Sequence, residues 1–204
     1  MFICMKNHTG KEIRNYIVIE RKKIMLKNFM SYFHETKPIA YSDDLFDDFL
    51  VQLGGKMFGG GIFNSFSYSN IKQWEEIVSK AYPDLEKQFK PFGYDWLGRC
   101  FSLDLRKETA GNVLMFEIGT NDVLEIPCSF KDFLNQEIPL YTEECLAKSF
   151  FDEWKAFSNV ELKYGRCAGY KVPLFLGGED DVSNLEDSDM EVYWEIMTQI
   201  AAQL

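Results

Sequence analysis

Histidine is scarce in this chain of 204 residues, which contains two, His8 and His34. Both lie within the first sixth of the sequence. A cysteine nucleophile needs a neighbouring general base, and histidine is the usual one. The sequence therefore gives little support to a cysteine-dependent hydrolase.

Closely spaced cysteines are also missing. The five cysteines are an odd number without any C-x-x-C pair, at Cys4, Cys100, Cys128, Cys145 and Cys167. Zinc sites and disulfide frameworks usually show paired or evenly numbered cysteines. We therefore expect free, at least partly buried thiols in a reducing compartment, and we predict no metal and no other cofactor.

Long apolar runs are absent. The longest, Tyr16–Ile19 and Val172–Leu176, fall far short of the roughly 20 residues that span a bilayer. The first 25 residues lack the continuous apolar stretch of a signal peptide. These observations predict a cytoplasmic protein. Met25 is an alternative start to Met1, because the core-like periodicity begins there.

Basic residues are absent from Phe175 to Leu204, where eight acidic residues occur. The formal net charge of the whole chain is -10, although residues 1–40 carry eight Lys or Arg and three Asp or Glu. Proteins that bind nucleic acid or anionic lipid depend on Lys and Arg. The charge balance argues against both partners and favours a basic protein.

Hydrophobic residues make up 46% of the chain and aromatic residues 16%, enough for a sizeable core. Apolar residues at helical spacing predict three helices in the first half: one over 26–36, one that opens at Ser42 and ends at Gly54, and one that follows Ser69 and is interrupted by Pro83. Ser42 is predicted to cap the second helix, with Asp43 and Asp44 in its first turn and Gly54 after its end. A shorter helix is predicted from Leu85 to Phe89.

From Phe92 the apolar pattern becomes typical of strands, with runs at residues 94–105, 112–119 and 122–127. The segment "GTND" predicts a hairpin turn between the last two. Helices follow at Ser129 and over 142–157, and a strand lies near 168–171. The stretch "PLFLGG" is predicted to be a strand that ends in a turn. A last helix, starting at Asp187 or Ser188, is predicted to bury Val192 or Tyr193, Ile196, Met197 and Ile200. Asp187 and Asp189 are predicted to have structural roles in capping its start. This order predicts an α+β fold with a mostly antiparallel central sheet flanked by helices.

Three motifs suggest chemistry that their spacing does not support. The glycine run at residues 54–61 lacks the Lys-Ser/Thr that completes a phosphate loop. The acidic string "GGEDDVSNLEDSD" lacks the glycine of a calcium-binding loop at the required position. Asp95 and Arg99 are four residues apart and suit a structural ion pair or a turn-capping aspartate better than a catalytic pair.

Longer strings resemble a known family. "FGYDWLGRCFSLD", "FEIGTNDVLEIPCSFKDFLNQEI" and "GYKVPLFLGGEDDVSNLEDSDMEVYWEI" occur in this order. Together they closely resemble the C-terminal domain of Tdi proteins, bacterial immunity proteins that neutralise DNase effectors of type VI secretion systems. The earlier string "DDLFDDFLVQLGGKMFGGGIF" resembles the GAD-like domain that often precedes it. The organisation is also similar to the SUKH superfamily of immunity proteins.

The resemblance implies a division of the chain and a function. It leaves residues 1–24 as a basic N-terminal extension, makes 25–90 a GAD-like helical region and 91–204 a Tdi-type α+β domain. The two regions would pack together in a SUKH-like immunity fold. The implied protein is not an enzyme: it binds a toxin and blocks it by stoichiometric occlusion. The acidic charge balance favours a toxin with a basic surface, and we predict a nuclease.

Two other functions stay open on the sequence alone. One is an adaptor or regulatory module that binds a protein other than a toxin, and the other is a small hydrolase that uses paired carboxylates. For the immunity function, the candidate contacts are the acids of the C-terminal loop and those around the second helix: Glu179, Asp180, Asp181, Glu186, Asp43, Asp44, Asp47 and Asp48.

Overall fold

The structure, a computed structural model, describes residues 26–36 and 44–204. The helices in these ranges are α1 (Lys27–Tyr32), α2 (Leu45–Leu53), α3 (Ile71–Ala81), α4 (Phe130–Asp132), α5 (Ile138–Leu140), α6 (Thr142–Leu146), α7 (Lys148–Ser158) and α8 (Met190–Ala201). The strands are β1 (Met57–Phe58), β2 (Phe63–Ser65), β3 (Phe89–Asp95), β4 (Cys100–Asp104), β5 (Val113–Glu117), β6 (Asp122–Ile126), β7 (Arg166–Tyr170) and β8 (Leu185–Asp189). None of these helices is long and apolar enough to cross a membrane.

Several sequence predictions fall outside the described residues. They concern the basic extension over 1–24, the alternative start at Met25, the cap at Ser42 and the acid Asp43. The predicted division after residue 90 falls inside β3, and β2 on one side of it pairs with β3. The regions 25–90 and 91–204 therefore contribute strands to the same sheet.

The main sheet has six antiparallel strands in the order β1-β2-β3-β4-β5-β6, so each strand pairs with its neighbours in the sequence. A second, two-stranded antiparallel sheet joins β7 to β8. The "GTND" hairpin turn connects β5 to β6, with Asn121 in the left-handed region at φ 61°. The predicted α+β fold with a mostly antiparallel sheet is confirmed.

Aromatic rings fill the space between the sheet and the helices. Phe92 of β3 packs against Phe46 of α2 and against Phe130 and Phe133, which follow β6. Elsewhere, the ring of Trp74 on α3 contacts the buried ring of Trp194 on α8, with 6.1 Å between centroids. The second contact places α3 and α8 side by side, although they are far apart in the sequence.

Two predicted helices differ from the structure because single residues adopt left-handed backbone angles. The helix predicted from Leu85 to Phe89 is wrong: Pro83–Leu85 forms one 3-10 turn, Lys87 has φ 63°, and Phe89 already begins β3. The helix predicted over 142–157 is broken into α6 and α7 at Ala147, which has φ 48°.

The strand run predicted over 94–105 also divides. Its first residues end β3, residues 96–99 form a turn, and Cys100 begins β4. Gly98 in this turn has φ 79°, a conformation that residues with a Cβ rarely adopt. Sequence periodicity does not register such a turn, because Trp96 and Leu97 are apolar and buried there.

The last helix is correct in existence but wrong in its start. Its buried face is correct for Tyr193 and Met197 and wrong for Val192 and Ile196. It begins at Met190, with Asp189 as its N-cap, and the residues before it form β8. The helix buries Tyr193, Trp194 and Met197, whereas Val192 and Ile196 are exposed. Both sets of residues have helical spacing, so the sequence alone does not decide which faces the core.

Candidate functional site

The acidic segment after β7 is built around a tight turn. The stretch "PLFLGG", predicted as a strand, instead contains a 3-10 helix at Leu174–Leu176. Gly177 follows it with φ 84°, and Gly178 lies so close to the preceding chain that a Cβ would sit 2.1 Å from the Val172 carbonyl oxygen. The two glycines therefore serve backbone geometry.

Asn184 holds the two ends of this segment together. Its Nδ2 donates to the carbonyl oxygens of Val172 and Glu179, at 2.9 Å in each case. Its Oδ1 accepts a hydrogen bond from the Val172 N–H at 3.0 Å. The side chain is buried, so these bonds are protected from water and fix where Glu179 and its neighbours leave the surface.

Replacing Gly178 by alanine is expected to destabilise the protein by about 2–3 kcal/mol, because the new Cβ must displace backbone. Gly177→Ala is the matched control, since its added Cβ meets no atom within 4 Å. The control should cost only about 1 kcal/mol, the penalty of a left-handed residue. Urea denaturation of both variants checks this, and a larger loss in Gly177→Ala would contradict the steric account.

The three loop acids differ in their surroundings. The Glu179 carboxylate is exposed and has no hydrogen bond or ion pair with another described residue. Asp180 accepts a hydrogen bond from the Tyr170 hydroxyl at 2.6 Å. Asp181 caps the 3-10 helix Val182–Asn184, and the hydrogen bonds from Ser183 lower the pKa of its carboxyl group. All three side chains reach solvent, so this loop forms an acidic surface.

The acids of β8 have different roles: one side chain is exposed at the surface, and two accept hydrogen bonds within the fold. Glu186 is exposed and lies opposite Gly169 of β7. Asp187, predicted as a helix cap, instead accepts a hydrogen bond from Arg166 Nε at 2.6 Å. Asp189 provides the cap, accepting from the N–H groups of Glu191 and Val192. The prediction of a structural role for Asp189 thus agrees with the structure.

The acids near α2 form a separate group. Asp44, predicted in the first turn, is instead the N-cap of α2, because its side chain accepts from the Phe46 and Asp47 N–H groups. Asp47 forms an ion pair with Lys90 at 3.3 Å, and Asp48 is half-buried on the same helix. These residues lie on α2, whereas the loop acids follow β7.

A buried ion pair lies in the turn between β3 and β4. Asp95 accepts hydrogen bonds from Arg99 Nε at 2.6 Å and from the N–H groups of Leu97 and Arg99. This is the structural, turn-capping role that we expected from the spacing. Burial raises the pKa of the Asp95 carboxyl group, an effect that Arg99 counters.

Glu117 is a residue that sequence reasoning missed. Burial raises the pKa of its carboxyl group; Arg99 lowers it, and Asp95 and Asp180 raise it further. The loop acid Asp180 is therefore electrostatically coupled to the interior. No sequence pattern indicates that Glu117 is shielded from water, because it ends a strand, as many solvent-exposed residues do.

The described residues offer little else for acid–base, thiol or metal chemistry. They contain no group of three or more His, Cys, Asp or Glu side chains arranged to hold a metal ion. The described cysteines, Cys100, Cys128, Cys145 and Cys167, are free. Burial raises the pKa of the Cys145 thiol to about 11, which disfavours the nucleophilic thiolate at neutral pH.

Comparison with known proteins bears on the part of the chain that carries the acidic loop. Residues 128–201 match the family model described as T6SS immunity protein Tdi1, C-terminal. We call residues 128–201 the Tdi1-like segment. It runs from the residues before α4 to the end of α8, so it contains Glu179, Asp180, Asp181 and Glu186. The acids of α2 lie outside it.

A solved structure is similar to the chain beyond the Tdi1-like segment. The crystal structure of Atu4351 from Agrobacterium tumefaciens superposes with a TM-score of 0.54, at 16% sequence identity, over 85% of this chain and 80% of that one. At this identity the likeness concerns the fold alone. No curated protein matches the chain. The GAD-like and SUKH-like resemblances remain predictions.

Proposed function

We propose that the protein is an immunity protein of a type VI secretion or related polymorphic toxin system. It binds one cognate toxin in the cytoplasm and blocks it by stoichiometric occlusion, without catalysing a reaction. The observation that carries the proposal is the match of residues 128–201 to the Tdi1 immunity family. The remaining described residues contain the whole six-stranded sheet, on which that segment would be positioned.

The charge of the protein supports a nuclease as the toxin. A nuclease presents a basic groove to its substrate, and an acidic protein can occupy such a groove and exclude nucleic acid. The net charge of -10 and the eight acids after Phe175 fit this role. Glu179, Asp180, Asp181 and Glu186 are the proposed contacts in the loop and β8, and Asp43, Asp44, Asp47 and Asp48 are the secondary candidates.

Co-expression with the toxin encoded beside this gene tests the function. We expect the protein to restore growth of cells that produce the toxin, and to elute with a catalytically inactive toxin as one complex from a size-exclusion column. Absence of both rescue and complex would overturn the proposal. A stable complex with a non-toxin protein, in cells that lack any neighbouring toxin gene, would instead favour the adaptor function.

Neutralising the loop acids is expected to weaken toxin binding by about tenfold, mainly through slower association. The variant Glu179→Gln/Asp180→Asn/Asp181→Asn removes three charges but keeps oxygen acceptors for Tyr170 and Ser183. The rate is measured by surface plasmon resonance at two salt concentrations, since screening should reduce the difference between variant and wild type.

The matched control removes the same charge from exposed acids elsewhere, in Glu108→Gln/Glu153→Gln/Glu161→Gln. It should slow association far less, because long-range attraction depends on where the charges lie. Equal effects of the two triple variants would show that net charge alone matters. Unchanged binding by the loop variant would move the contact to Asp44, Asp47 and Asp48.

A further inference from the structure

Helix α8 has a second face that the core does not use. Val192 and Ile196 lie one helical turn apart on it and are 55% and 48% exposed. Tyr193, Trp194 and Met197 on the other face are buried. Single exposed apolar residues are normal on protein surfaces, but two on one helical stripe beside a groove form a continuous apolar strip.

A groove of about 450 Å³ runs between this strip and α3. Ile77 of α3 is half-buried and contributes apolar surface from the other side. The buried contact of Trp74 with Trp194 holds the two walls together. Two exposed pairs also join them: Gln73 Nε2 donates to Glu191 at 2.8 Å, and Lys80 Nζ donates to Glu195 at 2.6 Å. The groove is thus formed before any partner arrives, which limits the entropy lost on binding.

The rim of this groove is acidic. Its charged lining residues are Glu76, Glu191, Glu195 and Lys80. Lys80 forms an ion pair with Glu195. The hydrogen bonds from Lys80 and Gln199 lower the pKa of the Glu195 carboxyl group. Glu191 and Glu76 are the acids left to attract positive charge. Lys72 lies 4.0 Å from Glu76, but this pair is highly exposed and its attraction is weak. An apolar strip with an acidic rim complements a basic amphipathic segment.

A smaller cavity of about 310 Å³ adjoins the groove, and Glu191 lines both. Aromatic side chains form much of its wall, at Phe66, Trp74, Tyr94 and Tyr164. Asp189 adds a second carboxylate, whereas the positive charge of Arg166 is matched by Asp187. Lys163 also lines the cavity, but its side chain is exposed and can turn towards solvent.

The wall of this cavity suits an arginine side chain. A guanidinium group stacks well on aromatic rings and pairs with carboxylates, and the cavity offers both.

We propose that the α3–α8 face, defined as Gln73, Glu76, Ile77, Val192, Ile196 and the adjoining aromatic cavity, is a second docking surface for the toxin. A basic amphipathic segment of the toxin lies along the groove, with apolar side chains on Val192 and Ile196. One arginine of that segment enters the aromatic cavity beside Glu191. The inference rests on the proposed function and adds a binding surface that the acidic loop does not include.

Binding of the inactive toxin encoded by the neighbouring gene tests this surface by isothermal titration calorimetry. Val192→Ser/Ile196→Ser is expected to raise the Kd at least about tenfold, because central apolar contacts dominate interfaces. The control Leu140→Ser/Tyr141→Ser removes a comparable exposed pair, which is 65% and 51% exposed. It should leave the Kd unchanged, and the melting temperature of each variant shows that folding is preserved.

A second variant, Glu191→Gln, probes the charge while keeping an oxygen that accepts from Gln73. We expect it to raise the Kd and to weaken the salt dependence of binding. If the wild type binds the toxin but neither variant changes the Kd, the docking surface is overturned and the immunity function stands. If the wild type does not bind the toxin, the proposed function fails, and this inference fails with it.

Discussion

Replacing Asp95 by alanine is expected to lower the free energy of unfolding by about 3–5 kcal/mol. The Asp95 side chain is fully buried, and that of Arg99 is 11% exposed. Without the carboxylate, the guanidinium loses its charged partner in a place that water hardly reaches and keeps the hydrogen bond to the Cys145 carbonyl oxygen. The N–H groups of Leu97 and Arg99 lose their acceptor as well, so the turn between β3 and β4 is weakened.

An exposed ion pair with the same geometry provides the control. Arg166 and Asp187 also approach to 2.6 Å, but about a third of each side chain is exposed. Asp187→Ala should therefore cost no more than about 1 kcal/mol. Urea unfolding with linear extrapolation measures both variants. Similar losses in the two would show that burial does not govern the strength of the Asp95 contact.

The double variant Asp95→Ala/Arg99→Met separates the contribution of the ion pair to stability from that of the hydrogen bonds in the turn. Removing both charges leaves no unpaired guanidinium, so part of the lost stability should return. The part that does not return measures the hydrogen bonds from the Asp95 carboxylate to the turn. A double variant less stable than Asp95→Ala would contradict this division.

Replacing Trp194 by alanine is expected to cost about 3–5 kcal/mol, the usual range for a large buried aromatic side chain. Trp194 is fully buried, and its indole Nε1–H donates to the Gly98 carbonyl oxygen at 2.9 Å. Its ring contacts those of Trp74 and Tyr82. The change therefore removes the contact that joins α8 to α3 and to the β3–β4 turn.

Ile196→Ala on the exposed side of the same helix is the control for Trp194. It should change the free energy of unfolding by no more than about 0.5 kcal/mol, as is usual for surface positions. Both variants are measured by urea unfolding followed by circular dichroism. Equal losses would mean that the helix contributes stability through its helical propensity and not through its packed face.

The elements that were predicted correctly from the sequence each show one clear local residue pattern. In α2, Phe46, Phe49, Leu50 and Leu53 lie on one stripe, and the structure buries all four. The hairpin at Asn121 follows from a short polar turn between two apolar runs. In both cases local chemistry and the tertiary structure agree, so one chain segment contains enough information.

The features that the sequence missed have competing or absent signals. Helix α8 carries apolar residues on two stripes, and the contacts of Trp194 with Trp74, Tyr82 and the Gly98 carbonyl oxygen select the buried one. Strand β8 contains Glu186, Asp187 and Asp189, which have low strand propensity, and it is held by pairing with β7. The pairing partner, which tertiary structure supplies, outweighs the local preference.

The candidate site was predictable only in part. The loop acids were recognisable from composition, because a run of carboxylates without basic residues is visible in one segment. The α3–α8 face was not, since its two walls come from residues 73–80 and 191–196. Its groove and its aromatic cavity exist only in the folded chain.

The sequence distance across that face affects when it forms. The main sheet pairs neighbouring strands, so most of its contacts close short loops and carry a low entropic cost. The bonds from Gln73 to Glu191 and from Lys80 to Glu195 instead close loops of 118 and 115 residues. On a ribosome, the sheet can assemble while α8 is still unsynthesised. A chain that is cut or stalled before α8 would thus retain much of its sheet and lack the proposed docking surface.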